Sequence, residues 1–96
     1  MRIMAIDYGD ARTGVAISDA TGMLTGFTAV IPSRKSQSAA EEIGKLAASH
    51  GVEELVVGLP RNMDGTEGPR AELYRAFARQ LEEITGLSPV LWDERR

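Results

Sequence analysis

The order in which the hydrophobic pattern changes its period is the strongest constraint on the fold of this chain. Three apolar runs come first, at residues 3–6, 15–17 and 23–31, and short glycine-containing turns separate them. Short strands joined by such turns are typical of an antiparallel meander. The sequence therefore predicts a fold that opens with three neighbouring antiparallel strands.

The pattern changes to helical spacing after Pro32. Ser38 and Glu41 form the Ser-x-x-Glu arrangement of a capping box, which marks the start of a helix. Gly51 suits the position just past a helix C-terminus, where the backbone commonly turns left-handed. We therefore expect a helix over residues 38–50.

Strand and helix patterns alternate through the rest of the chain. A strand is predicted over residues 52–57, and its unbroken apolar centre favours a position covered on both faces of the sheet. A helix whose first turn suits Pro69 follows and ends at Gly86, with Phe77 in the core. A fifth strand over residues 89–92 then brings Trp92 into the core. The apolar stripe of the second helix is predicted from Leu73, Phe77, Leu81 and Ile84.

These elements give the order βββαβαβ. Each helix connects strands that should be parallel, through right-handed crossovers. The expected fold class is therefore α/β, with a mixed five-stranded sheet and helices packed on it. A chain of 96 residues is suited to one domain.

Composition excludes several classes of protein. The chain has no cysteine, which excludes disulfides and thiolate zinc sites. Its formal net charge of −3 does not suit a basic nucleic-acid coat protein but allows a nuclease whose carboxylates bind metal. No apolar run is long enough for a membrane span, and the N-terminus lacks the pattern of a signal peptide. We expect a cytoplasmic protein with no membrane contact.

The first candidate site residue is Asp7, which ends the first predicted strand, with Gly9 two residues later. Open α/β sheets bind ligands at the carboxyl ends of their strands, and a nearby glycine lets a phosphate or metal approach the backbone. Asp also commonly ends strands simply as a turn former. Asp7 alone leaves both interpretations open.

The second candidate is the pair Asp93 and Glu94, after the fifth strand. If strands one and five lie close together, Asp7 meets this pair, and converging carboxylates need a cation between them. Oxygen ligands suit Mg²⁺ or Mn²⁺, and two such ions can promote phosphodiester hydrolysis. The alternative is a solvated charged segment at the chain end.

The third candidate is the stretch of residues 58–66, predicted to be a loop after the fourth strand. Its backbone amides and the side chains of Arg61, Asn62 and Thr66 could hold a phosphate. It is longer than most such loops, although an ordinary connection remains the alternative. His50 is predicted in the last turn of a helix, where the helix dipole favours a cation, and we do not expect it to be catalytic. Tyr8 is not expected to stack on a base.

Three segments that carry these residues resemble the motifs of the YqgF/RuvX family, in the same order and over nearly the whole chain. The similar segments are residues 5–9 with Arg12 and 14–19, residues 55–66, and residues 93–95. The family has an RNase H-like fold akin to that of Holliday-junction resolvases. The resemblance implies one RNase H-like domain over residues 1–96.

The resemblance also implies a function. It implies a metal-dependent endonuclease that hydrolyses phosphodiester bonds during processing of precursor small-subunit ribosomal RNA. Asp7 and Glu94 would be catalytic, metal-binding carboxylates, and Asp93 a further metal ligand, with Mg²⁺ or Mn²⁺ as the cofactor. The residues expected to contact substrate are Gly9, Arg12, Arg61, Asn62, Thr66 and Arg95.

One departure from the family pattern affects these expectations. Family members continue past the third motif into a helical segment with another catalytic Asp, whereas this chain stops at Arg96. We therefore expect an uncovered apolar sheet face, which favours a homodimer. The alternatives in function are a resolvase of branched DNA, a non-catalytic module that binds nucleic acid or the ribosome, and an actin-like or sugar-kinase-like nucleotide-binding half.

Overall fold

The structure, a computed structural model, describes residues 1–19, 21, 26–61 and 71–95, with the backbone alone at 59–61 and 93–95. The elements follow the order predicted from the sequence, so βββαβαβ is confirmed. They are β1 (Ile3–Asp7), β2 (Arg12–Ile17), β3 (Phe27–Pro32), α1 (Ser36–His50), β4 (Glu54–Arg61), α2 (Ala71–Thr85) and β5 (Val90–Arg95).

The five strands form one mixed sheet in the order β3-β2-β1-β4-β5. The first three strands pair antiparallel, as the predicted meander requires. β4 pairs parallel with both β1 and β5, because a helix crosses over before each of the last two strands. This α/β arrangement is consistent with the RNase H-like fold expected from the motifs.

The core lies between one face of the sheet and the two helices. Alternate residues of β1, β2 and β4 point to that face and meet the apolar side of both helices. The largest side chains that are fully buried there include Met4, Ile17, Ile43, Leu55, Phe77 and Leu81.

The opposite face of the sheet is not covered by either helix. Val56 is half-buried, whereas its neighbours Leu55 and Val57 are buried, so the prediction of a strand covered on both faces was wrong. Trp92 is 64% exposed, which also corrects its predicted place in the core. Both errors have one cause: both helices pack on the same face, and strand residues alternate between the two faces.

The first helix begins two residues earlier than predicted. Lys35 occupies the N-cap position, no side chain caps the helix, and the Ala39 N–H already donates to the Lys35 carbonyl oxygen. The capping box of Ser38 and Glu41 was therefore wrong, because Ser38 lies inside the helix. The predicted end at Gly51 is confirmed, with a left-handed φ of 64°.

The second helix buries a different stripe from the one predicted. Phe77 and Leu81 are buried, but Leu73 is 52% and Ile84 39% exposed. Steps of four residues drift by about 40° per step around a helix of 3.6 residues per turn, so the ends of that row turn away from the core. The observed buried face consists of Ala71, Tyr74, Phe77, Ala78 and Leu81. Gly86 follows the helix with a φ of 75°, as predicted.

Candidate functional site

The carboxyl ends of β1, β4 and β5 lie at one edge of the sheet, because these strands are parallel. The β1–β4 register ends with Ile6 opposite Val57, one residue before Asp7 and Gly58. On the other side of β4, Gly58 is opposite Trp92. Asp7 therefore lies level with Gly58 and Trp92 across the sheet.

The acidic pair at the end of β5 occupies the same edge but does not adjoin β1. Asp93 is opposite Leu59 and Glu94 is opposite Pro60, so β4 separates the pair from Asp7. With strands spaced about 4.8 Å apart and a rise of about 3.3 Å per residue, the backbones of Asp7 and Glu94 are about 12 Å apart. The expected meeting of Asp7 with this pair depended on strands one and five lying close together, and these strands are second neighbours. The side chains of Asp93 and Glu94 lie outside the described residues.

The Asp7 carboxylate is open to ligands. Asp7 is exposed, and none of the described residues gives its carboxylate a hydrogen bond or an ion pair. A Cβ added to its cross-strand partner Gly14 would come within 3.9 Å of the Asp7 Cβ. Gly58, level with Asp7 on the other side, likewise carries no side chain. Two glycines therefore leave space on both sides of Asp7.

This space belongs to a depression of about 580 Å³ on the open face of the sheet. Its lining includes Asp7, Gly14, Gly58 and Trp92, together with small apolar residues of the middle strands. Neither Gly14 nor Gly58 was predicted as a site residue from the sequence. Glycine inside a strand is a signal of close approach by a ligand or another backbone, and it could have identified both residues.

The turn after Asp7 is held by two buried hydroxyl side chains. The Ser33 Oγ donates to the Gly9 carbonyl oxygen at 2.5 Å, and the Gly9 N–H points to the Thr13 Oγ1 at 3.4 Å. The Ser33 N–H also donates to the Ala11 carbonyl oxygen at 2.9 Å. Ser33 and Thr13 are 2% and 0% exposed. Polar residues of this kind are hard to recognise from sequence, because their partners are backbone atoms of other segments.

Gly9 has a structural reason to be glycine. A Cβ at this position would collide with the backbone carbonyl oxygen of Arg12, which belongs to the opposite side of the same turn. The sequence suggested that Gly9 lets a phosphate or metal approach the backbone. In the structure it is the Arg12 carbonyl oxygen that approaches Gly9 closely.

The predicted basic and polar contacts are distributed along this edge. Arg12 is exposed at the start of β2, two residues from the partner of Asp7. Arg61 and Arg95 are opposite each other at the ends of β4 and β5. Residues 58–61 thus form part of a strand instead of a loop. Asn62 and Thr66 lie outside the described residues, as does Pro69.

The single histidine lies away from this site. His50 ends α1 at the opposite edge of the sheet, where its carbonyl oxygen accepts a hydrogen bond from Arg2 and its ring contacts Phe27 at 4.6 Å between centroids. Over the side chains that the structure describes, no group of three acidic or histidine residues is close enough to hold a metal ion. The described part of the chain also has no helix suited to crossing a membrane.

The family model described as "RuvX: Holliday junction resolvase" matches residues 1–96. The chain belongs to the RuvX family. A relative in Carboxydothermus hydrogenoformans is 47% identical over 95 residues, covering 99% of this chain and 69% of the relative. One in Bacillus thuringiensis is 42% identical over 97 residues, covering 99% and 71%. Both carry the name "Putative pre-16S rRNA nuclease".

The chain spans about two thirds of the length of the RuvX relatives it matches. Solved structures of other proteins share its fold. The PPX-GPPA enzyme of Aquifex aeolicus has a TM-score of 0.61 at 14% identity, and the ROK hexokinase of Thermus thermophilus has 0.60 at 22%. Each match covers 97% of this chain but only 36% and 35% of the other protein. Likeness at this identity concerns the fold alone.

Proposed function

We propose that this RuvX-family chain forms the active centre of a metal-dependent nuclease that hydrolyses phosphodiester bonds, with precursor ribosomal RNA as its substrate class. The observation that carries the proposal is the setting of Asp7. Its carboxylate is exposed between two glycines, at the sheet edge where the Asp93–Glu94 segment also ends. The relatives' shared name supports the choice of substrate.

The donor set at this edge fits a hard divalent cation. Carboxylate oxygens are the ligands that Mg²⁺ and Mn²⁺ prefer, and among the described side chains no cation forms an ion pair with Asp7. Asp7 and Glu94, with Asp93 as a further ligand, would hold the ion. When bound, such an ion activates a water molecule and stabilises the leaving oxygen.

The residues of this edge would also bind the nucleic-acid backbone. Arg12, Arg61 and Arg95 occupy the starts and ends of strands around Asp7, and guanidinium groups contact phosphates without reading base sequence. Asn62, Thr66 and the backbone at Gly9 complete the proposed substrate contacts. Such contacts would orient the scissile phosphate, whereas the choice of cleavage site would depend on the shape of the substrate.

The test compares wild-type chain with Asp7→Asn on labelled single-stranded RNA and on a four-way DNA junction, each with Mn²⁺ and with chelator. We expect Asp7→Asn to reduce cleavage by more than about 100-fold, since even residues that only support a metal ligand commonly contribute about 10–100-fold. Glu53→Gln is the matched control, because it removes an exposed carboxylate at the opposite sheet edge.

The outcomes separate the candidate functions. Cleavage of RNA that needs metal and Asp7 supports the proposal, whereas cleavage of the junction alone supports a resolvase, as the family description names. Equal loss in Asp7→Asn and Glu53→Gln would contradict a catalytic role for Asp7. Metal-independent RNA binding without cleavage would favour the non-catalytic module.

We also propose that two copies of this 96-residue chain associate through the open face of the sheet. Val30, Val90 and Trp92 expose 68%, 45% and 64% of their surface on this face. Contiguous apolar surface of this kind commonly marks an interface. Contact with the ribosome and a cytoplasmic location are part of the proposed nuclease function, because precursor ribosomal RNA is found in the cytoplasm.

A further inference from the structure

We infer that Tyr74 of α2 is a positioning residue for Asp7, acting through the backbone of Tyr8. The inference rests on the proposed function of Asp7. The Tyr74 Oη donates a hydrogen bond to the Tyr8 carbonyl oxygen at 2.7 Å, across 66 positions of sequence. Tyr8 follows Asp7 directly, so this bond holds the Tyr8–Gly9 peptide unit, which begins one residue after the proposed metal ligand.

The hydrogen bond is made just beyond the end of the β1–β4 register. That register ends with Ile6 opposite Val57, two residues before Tyr8. On the other side, Asp7 is still paired with Gly14 of β2. A part-buried carbonyl oxygen needs a hydrogen-bond donor, and the Tyr74 hydroxyl of α2 supplies one to Tyr8.

The ring of Tyr8 is locked in the same contact. It stacks on Phe77 with centroids 4.1 Å apart and planes at 15°, and it meets Tyr74 edge-on at 5.3 Å and 85°. Phe77 is 1% exposed and anchors α2 in the core. The Tyr8 ring therefore cannot turn toward the substrate without leaving its contacts with Phe77 and Tyr74. These contacts and the hydrogen bond from Tyr74 restrict the motion of the Tyr8 backbone.

The turn is clamped from two sides. Ser33 and Thr13 hold Gly9 from the meander side, and Tyr74 holds Tyr8 from the helix side. Such support increases the metal affinity of a carboxylate, because the orientation of the carboxylate is already fixed before the ion binds. Tyr74 does not touch the reacting atoms, so its effect would pass entirely through the position of Asp7.

The test uses Tyr74→Phe, which removes the hydroxyl and keeps the ring. The matched control is Thr85→Val in the same helix. Thr85 Oγ1 donates to the Leu81 carbonyl oxygen at 2.7 Å and accepts from the Leu87 N–H at 3.1 Å, at the end of α2 remote from Asp7. Both variants lose part-buried hydrogen bonds, but only Tyr74→Phe loses one beside the candidate site.

Three quantities are measured on the full 96-residue chain: the Mn²⁺ concentration that half-saturates the rise in Tm, the kcat and KM for RNA cleavage at saturating Mn²⁺, and the hydrogen-exchange rate of the Gly9 amide without metal. In Tyr74→Phe we expect about tenfold weaker Mn²⁺ binding, a fall in kcat with KM little changed, and about tenfold faster exchange at Gly9. In Thr85→Val we expect a lower Tm but wild-type Mn²⁺ binding.

The outcomes keep this inference separate from the proposed function. If wild-type chain shows no Mn²⁺ effect that Asp7→Asn abolishes, the metal site fails, and the exchange rate at Gly9 alone then decides whether Tyr74 orders the turn. Wild-type Gly9 exchange in Tyr74→Phe would overturn the positioning role. So would equal losses of Mn²⁺ binding in Tyr74→Phe and Thr85→Val, since that pattern reports only stability.

Discussion

Glycine residues permit close contacts at several points of this chain, each for a different reason. Gly14 and Gly58 line the depression beside Asp7, and Gly9 allows the Arg12 carbonyl to approach its own turn. Gly44 lies inside α1, where a Cβ would come within 2.5 Å of the Cγ2 of Ile84 on α2. The sequence shows such glycines plainly, but it does not show which neighbour each one accommodates.

Gly44→Ala should destabilise the protein even though alanine is the better helix former. The gain in helix propensity is about 1 kcal/mol, whereas overpacking typically costs about 1–3 kcal/mol. The Cγ2 of Ile84 is attached to a β-carbon and cannot move aside as a flexible chain end would. We expect a net loss of about 1 kcal/mol in the free energy of unfolding, measured by urea denaturation.

The double variant Gly44→Ala with Ile84→Ala provides the control. Truncating Ile84 removes the colliding methyl group, so adding Gly44→Ala on that background should no longer destabilise the protein. A gain in stability from Gly44→Ala alone would show that the two helices separate at little cost.

At the scale of the elements, α2 connects the core to the candidate site. Its buried face is defined by Tyr74, Phe77 and Leu81, and the first two of these contact Tyr8 beside Asp7. The apolar spacing in the sequence correctly predicted a helix with Phe77 and Leu81 in the core. The predicted core also included Leu73, which is exposed. Helical spacing shows that apolar residues lie near one another on the helix, but not which of them contact the sheet.

Leu81→Ala and Leu73→Ala make the same chemical change in the same helix and should have different effects. Leu81 is fully buried, and truncation of such a residue costs about 2–5 kcal/mol in the free energy of unfolding. Leu73 is 52% exposed, so its truncation should cost less than about 1 kcal/mol. Urea denaturation of both variants measures the difference, and equal costs would contradict the observed burial of α2.

At the scale of the whole molecule, the sheet carries helices on one face only. The other face holds the depression beside Asp7 and the exposed side chains of Val30, Val90 and Trp92. The candidate site and the proposed contact between copies therefore share one surface. Association through this face would bring the Asp7 sites of two copies near each other.

Trp92→Ser should weaken self-association of the 96-residue chain. We expect a mass above that of a monomer for wild type by light scattering at high protein concentration, and a mass closer to a monomer for Trp92→Ser, since the indole is the largest exposed apolar group on that face. Leu73→Ser is the matched control, because Leu73 is exposed on a helix instead. A monomeric wild-type mass would contradict the proposed homodimer.

The order and type of the elements followed from the sequence alone. Apolar periodicity distinguishes strands from helices locally, and Gly51 and Gly86 follow their helices with a left-handed backbone that glycine adopts readily. The motifs of the RuvX family could also be recognised from the sequence, because each motif is a short contiguous segment. Asp7, Asp93 and Glu94 are candidates for the same reason, since each belongs to one of these segments.

Tertiary structure decided everything that depends on which face is covered and which strands are neighbours. The exposure of Trp92 and the separation of Asp7 from Glu94 by β4 follow from the packing of both helices on one face and from the strand order. The hydrogen bond from Tyr74 to Tyr8 joins residues 66 positions apart. Local pattern cannot report such contacts, because they arise only when the free energy of the whole packed chain selects one arrangement of its elements.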